Sequence, residues 1–179
     1  MPDSTEKLVR RAQAGDKQAF IRLMEAHKHA LTRAAMAILH NQEDVADAVA
    51  ETVMEAFSKL YTLRQPKYFK TWLTRILIYN SYDILRQNRR LVSFDQLPED
   101  SHNPDQSLDR SLDVRESLNA LAENDRLVLT LYYIDGFKVK EIAGIMGVKE
   151  SAVKSRLMRS RERLQKIYLE REEKTCEAK

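Results

Sequence analysis

A single cysteine, Cys176, in 179 residues rules out an internal disulfide framework and any zinc site built on a cysteine pair. It reads as an inert thiol on a frayed tail. Glycine and proline number only four each, too few for the many turns of an all-β fold. No apolar run approaches the length that crosses a membrane. The start, Met1-Pro2-Asp3-Ser4-Thr5-Glu6, lacks the basic-then-apolar run of a secretory leader, so a cytoplasmic protein is expected. No glycine-rich phosphate loop, metal-ligand cluster or nucleophile–base signature occurs, and His29, His40 and His102 are scattered. The chain is therefore read as a non-enzyme without a cofactor or resident metal.

What is present is helical periodicity and unevenly placed charge. The formal net charge is only +3. The stretch from Lys138 to Lys166 nevertheless carries nine basic residues against three acidic ones, and Asp95 to Asp113 carries six acidic against one basic. A concentrated basic face is the electrostatic footprint of a phosphate partner. Phe20, Leu23, Met24, His27, Leu31, Ile38 and Leu39 recur at helical spacing after a break at Gly15-Asp16. His27 on that stripe reads as a packed, hydrogen-bonded side chain. A second helix from about Gln42 to Leu60 turns Val45, Val49, Val53, Ala56 and Phe57 inward. The predicted fold is all-α: an N-terminal helical domain over 1–90, a flexible acidic linker over 91–112, and a C-terminal helix-turn-helix domain over 113–179. The linker serves as a solubilising spacer or, alternatively, lends its carboxylates as nucleic-acid mimics.

Three segments carry the chemistry. Tyr61, Tyr68, Phe69, Trp72, Tyr79 and Tyr82 crowd nearly half of the thirteen aromatic residues around one helix studded with Lys and Arg. Rings stack on unpaired bases at about 1–3 kcal/mol per base while cations follow the phosphates. Trp72, Ile76 and Leu77 keep the buried period. Lys67, Tyr68, Lys70, Arg75, Tyr79, Asn80 and Arg86 are the candidates for single-strand contact. The preceding helix places Glu43, Asp47, Glu51 and Glu55 at four-residue intervals, with Asp44 beside them, as a docking row for a basic protein surface. Toward the C-terminus, Val114, Leu118 and Leu121, then Leu127, Val128, Leu131 and Ile134, mark two helices. A helix-turn-helix follows: Ala143 is small at the crossing, Gly147 sits at the turn, and Ile142, Met146, Val148, Val153 and Leu157 form the buried side. Ser151 is the expected cap, since Lys149 is a poor one. The second helix then offers Lys154, Ser155, Arg156, Met158, Arg159 and Arg161, with Arg163, to a major groove.

In this order the segments resemble the extracytoplasmic-function (group IV) sigma factors of bacterial RNA polymerase, from about Lys7 to Leu169. The most specific matches are Phe69-Lys70-Thr71-Trp72-Leu73-Thr74-Arg75-Ile76, Asp83-Ile84-Leu85-Arg86, Glu141-Ile142-Ala143 and Val153-Lys154-Ser155-Arg156-Leu157. Glu43-Asp44 and Glu51-Thr52 are similar to the family's core-binding segment. The resemblance implies that the acidic helix docks on the coiled coil of the polymerase β′ subunit. It implies that the Lys67–Arg90 segment meets the −10 promoter element and the C-terminal domain the −35 element. It also implies that the linker threads toward the active-site channel, and that an anti-sigma factor restrains the protein. Ala50 stands where the family commonly has glutamine. Tyr79 stands where it often has asparagine, with Asn80 just after. A response-regulator-like repressor or activator is the alternative binding protein, and it would footprint its operator without polymerase. A nucleic-acid enzyme would show nuclease or ATPase activity.

Overall fold

The computed structural model describes residues 4–92 and 116–177, with side chains given for 4–90 and 116–170. Nearly all of the expected linker, and the side chain of Cys176, lie outside the described residues. Among those described there is no strand; the elements are helices joined by short turns.

The N-terminal lobe is built from α1 (Thr5–Gln13), α2 (Lys17–Met36), α3 (Gln42–Lys59) and α4 (Phe69–Val92). Helix α1 ends at Gly15, whose φ of 96° suits a residue without a Cβ. Asp16 then starts α2 by accepting the Ala19 amide at 3.0 Å. That bond, with the Arg11 guanidinium beside it, holds the Asp16 carboxyl below its ordinary value. The periodic stripe of α2 buries Phe20, Leu23 and Leu31, while Ile38 and Leu39 pack just beyond its end. His27 accepts its expected role: Nδ1 lies 2.8 Å from the Leu23 carbonyl and the ring meets Phe69 edge-on. Asn41 caps α3, which buries Val45, Ala48, Thr52 and Ala56. Two short 3₁₀ turns, Leu60–Thr62 and Pro66–Tyr68, carry the chain into α4. Phe69, Leu73 and Leu77 then run down the centre of the lobe, each contributing about 1.5–3 kcal/mol of burial. Trp72 and Ile76 pack against that core half-buried.

Phe57 departs from the inward role expected of it. It is 57% exposed and meets the Phe20 ring edge-on. Position 57 lies seven residues beyond Ala50 and three beyond Met54, on the outward side of α3. The inward positions nearby are taken by Thr52 and Ala56.

The C-terminal lobe opens with a helical turn over 116–119, followed by α5 (Glu123–Leu129) and a widened π-type turn over Thr130–Ile134. Leu127, Val128 and Leu131 are buried as expected, but Ile134 is exposed, following Tyr132 and Tyr133, whose rings meet edge-to-face. The widened turn shifts the helical phase and swings Ile134 out. Helices α6 (Val139–Met146) and α7 (Glu150–Glu177) form the helix-turn-helix. The Lys138 amide donates to the Glu141 carboxylate at 2.8 Å, which starts α6. Gly147 ends it in the left-handed conformation at φ 68°, and the Val148 amide returns to the Ala143 carbonyl at 3.0 Å. Ile142, Ala143, Val153 and Leu157 are buried where the two helices cross. Val148 and Met146 are less enclosed than expected, because the left-handed turn points Val148 to the rim. Ser151 does not act as a cap: α7 already begins at Glu150, and the Lys149 carbonyl receives the Ala152 and Val153 amides.

Candidate nucleic-acid interface

The single-strand candidates divide according to their position around α4. Residues 73, 77 and 80 share one inward face, and so Asn80 is buried at 7% exposure. Its amide donates to the Thr52 hydroxyl at 3.3 Å, and that hydroxyl donates to the Ala48 carbonyl at 2.6 Å. Asn80 therefore ties α4 to α3, and its assignment to the strand is corrected. Tyr79, one residue earlier and about 100° around the helix, is 65% exposed. Arg75 lies one turn before it and is exposed. Arg86 is exposed and pairs with Asp83 at 3.0 Å. Tyr68 and Lys67 stand at the helix entrance, the ammonium 4.8 Å from the ring centroid. Lys70 departs from expectation: it is half-buried, donates to the Asp135 carbonyl and lies 4.3 Å from the Phe137 ring centroid. Tyr61, in the 3₁₀ turn Leu60–Thr62, is 79% exposed. Lys59 is held by Glu55 at 2.6 Å, and the nearby Tyr61 and Tyr79 hydroxyls help push its pKa upward after Glu55 itself. Exposed Lys59 thus adds a cation near Tyr61 and Tyr79.

The acidic row of α3 is shorter than its spacing predicts. Glu43, Asp47 and Glu51 are exposed. Glu55 folds back onto Lys59, while half-buried Asp44 accepts the Asn88 amide at 2.8 Å and braces α4. Those two are corrected from docking to internal roles. The face gains apolar members instead: Ala46, Ala50, Met54 and Phe57 lie exposed along the same side, Met54 at 65%. A row of carboxylates flanked by open apolar side chains fits a protein partner better than solvent.

On α7, Lys154, Ser155, Met158, Arg159 and Arg161 are exposed, as the helix-turn-helix reading requires. Gly147, Lys149, Ser151, Ser155 and Arg159 rim a shallow depression at the start of the helix, the end that enters a groove. Arg156 is corrected. It is half-buried beneath that face and its guanidinium lies 3.4 Å from Asp125, which also receives Arg163. A carboxylate buried on α5 holds both arginines away from the groove-reading side.

The family model described as Sigma-70 region 2 matches residues 23–91, and that described as Sigma-70, region 4 matches residues 111–164. RNA polymerase sigma factor NccH of Alcaligenes xylosoxydans xylosoxydans is 31% identical over 175 residues, covering 91% of this chain and 94% of that protein. The ECF RNA polymerase sigma-E factor of Salmonella typhimurium is 32% identical over 171 residues, covering 87% of this chain and 89% of that protein. The chain belongs to the extracytoplasmic-function sigma factors. As such it is a promoter-specificity subunit of bacterial RNA polymerase. The sigma factor's fold is shared by the sigma factor RpoE of Bartonella quintana, solved with the anti-sigma factor NepR, at TM-score 0.73 and 26% identity over 83% of this chain and 95% of that one. It is also similar to CnrH, solved with the cytosolic domain of CnrY, at TM-score 0.69 and 27% identity over 92% of this chain and 97% of that one. No described helix of the sigma factor is long and apolar enough to cross a membrane.

Proposed function

We propose that this sigma factor divides promoter recognition between its lobes, residues 1–90 and 113–179, joined by the segment between them. The N-terminal lobe docks on the β′ coiled coil of core polymerase through Glu43, Asp47 and Glu51, aided by Met54 and Phe57. Lys67 and Tyr68 at the entrance to α4, with Arg75, Tyr79 and Arg86 along it, hold the unpaired −10 strand. The C-terminal lobe sets Lys154, Ser155, Met158, Arg159 and Arg161 in the major groove of the −35 element. Polymerase does the chemistry in the cytoplasm, and the sigma factor contributes specificity and strand capture. An anti-sigma protein is the natural restraint, given that RpoE of Bartonella quintana, a protein of this fold, was solved with the anti-sigma factor NepR.

The observation that carries this reading is the outward line of Tyr68, Arg75 and Tyr79 along a helix whose opposite side is packed solid. A structural helix would turn its rings inward. Unpairing a base costs a few kcal/mol, and stacking on an open ring at about 1–3 kcal/mol offsets much of that. Where the family often has an amide, Tyr79 offers such a ring. Substituting Tyr79→Ala is therefore expected to lower open-complex formation about tenfold, corresponding to about 1.4 kcal/mol, with polymerase binding unchanged. Permanganate reactivity of promoter thymines measures the opening. Full opening by the variant contradicts the role of Tyr79.

A further inference from the structure

The basic residues of α7 are not used alike. Ser155, Met158, Arg159 and, farther along, Glu162 line its open side, while Val153, Leu157 and Ser160 are buried opposite. Both flanks between these sides are basic. Lys154 and Arg161, seven residues apart, stand exposed on one. A step of two residues, about 200° around the helix, puts Arg156 and Arg163 on the other. A major groove about 12 Å wide is scarcely wider than a helix with its side chains, so each flank of an inserted helix faces a phosphate backbone.

On the second flank α5 intervenes. Its Asp125 carboxylate, 5% exposed, accepts from Arg163 Nη1 and, at 3.4 Å, from Arg156 Nη1. The two arginine side chains remain 39% and 59% exposed, so each would reach solvent if let go. Two effects decide which anion they take. A surface phosphate carries a similar charge, but water and salt screen its pull far more than that of an enclosed carboxylate. Withdrawing both arginines would also leave the Asp125 charge enclosed and unpaired, which is the costly way to break such a contact. The carboxylate wins.

We propose that Asp125 is a positioning residue for DNA binding: it withholds Arg156 and Arg163 from the phosphates on one side of the groove, and so limits the sequence-independent grip of α7. This rests on the groove-reading face assigned to α7 under the proposed function. Phosphate attraction is then one-sided, carried by Lys154 and Arg161, and recognition falls to Ser155, Met158 and Arg159. Each further phosphate contact would strengthen binding to DNA of any sequence and add nothing to the reading of bases. A subunit that must pass over most of a genome is served by that restraint.

Fluorescence anisotropy of the full chain on a labelled, mixed-sequence DNA duplex, across a range of salt concentrations, tests the assignment. Asp125→Asn keeps the size of the side chain and removes the charge that holds the two arginines. Affinity should rise roughly tenfold, and the slope of log affinity against log salt should steepen by about 0.9 for each arginine that reaches a phosphate. Damaged packing alone would not steepen that slope. Adding Arg156→Ala and Arg163→Ala to the variant should return the slope to the parent's value. A slope that stays steep without those arginines, or that never steepens, overturns the withholding role. Should Asp125→Asn fail to fold, single changes on the surface of α7 decide the matter. Arg161→Ala should flatten the slope by about 0.9, while Arg156→Ala and Arg163→Ala each leave it level. Flattening by Arg156→Ala puts that residue on a phosphate and sinks the proposal alone. A parent chain that does not bind the duplex, or whose binding ignores both Arg159→Ala and Arg161→Ala, sinks the groove-reading face itself.

Discussion

Replacing Asp47 and Glu51 together by lysine will abolish co-purification of this sigma factor with core polymerase. The two carboxylates are one turn apart on the exposed side of α3, with Ala50 between them and Met54 just beyond. Neither supports the lobe, because both are exposed and the helix is held by Val45, Ala48, Thr52 and Ala56 on its other side. The double change reverses the sign of the row while leaving its apolar flank intact. Like charges brought face to face across an interface cost several kcal/mol, enough to lower affinity by more than about a hundredfold. Circular dichroism should show an unchanged helical signal. A matched reversal at Glu25, exposed on α2, should leave recovery untouched. Normal recovery of the double variant refutes the docking face. Removing Met54 and Phe57 should weaken the same contact, a result that a purely acidic row would not give.

The second large effect is expected at Arg159. Its guanidinium stands on the open face of α7, one turn after Ser155, whose carbonyl accepts Nε at 3.3 Å. A well-placed arginine on a base edge is worth about 1–3 kcal/mol of discrimination. Arg159→Ala should therefore reduce initiation from −35-dependent promoters by roughly tenfold to a hundredfold, with polymerase binding intact. Arg156→Ala is the informative partner experiment. Arg156 precedes Arg159 by three residues and looks equally suitable in the sequence, but Asp125 draws it under the helix. Its loss should cost less in DNA recognition. Equal losses at both positions, or loss of polymerase binding with Arg159, would contradict the assigned face.

Much of this architecture is legible in the sequence because helices advertise their buried side. Leu73 and Leu77 follow the stripe of α4, and Gly147 marks the left-handed turn between α6 and α7. Assigning individual residues is harder where a single step around the helix decides the role. Polarity alone would turn the Tyr79 ring inward and the Asn80 amide out, and only the packing of α4 on α3 shows that the amide goes inward to Thr52 while the ring stays out. On α3 the four-residue spacing of carboxylates overstates the docking row, because Glu55 and Asp44 are claimed by Lys59 and Asn88. Phe57 looked like core for the opposite reason: an aromatic ring in an amphipathic helix is usually buried, and a docking surface is where that habit fails. The contact of Arg33 with Asp135 was out of reach altogether. Arg33 and Asp135 are 102 residues apart, and no local pattern announces a partner chosen by how two lobes dock.

The central claim is that this chain lends start-site choice to an enzyme it does not itself contain. Supplying purified core polymerase with the full chain on genomic DNA, and mapping transcript starts, tests that most directly. The account predicts a discrete set of starts, absent with core alone, sharing one sequence near −35 and another near −10. A map identical to that of core polymerase alone would contradict it.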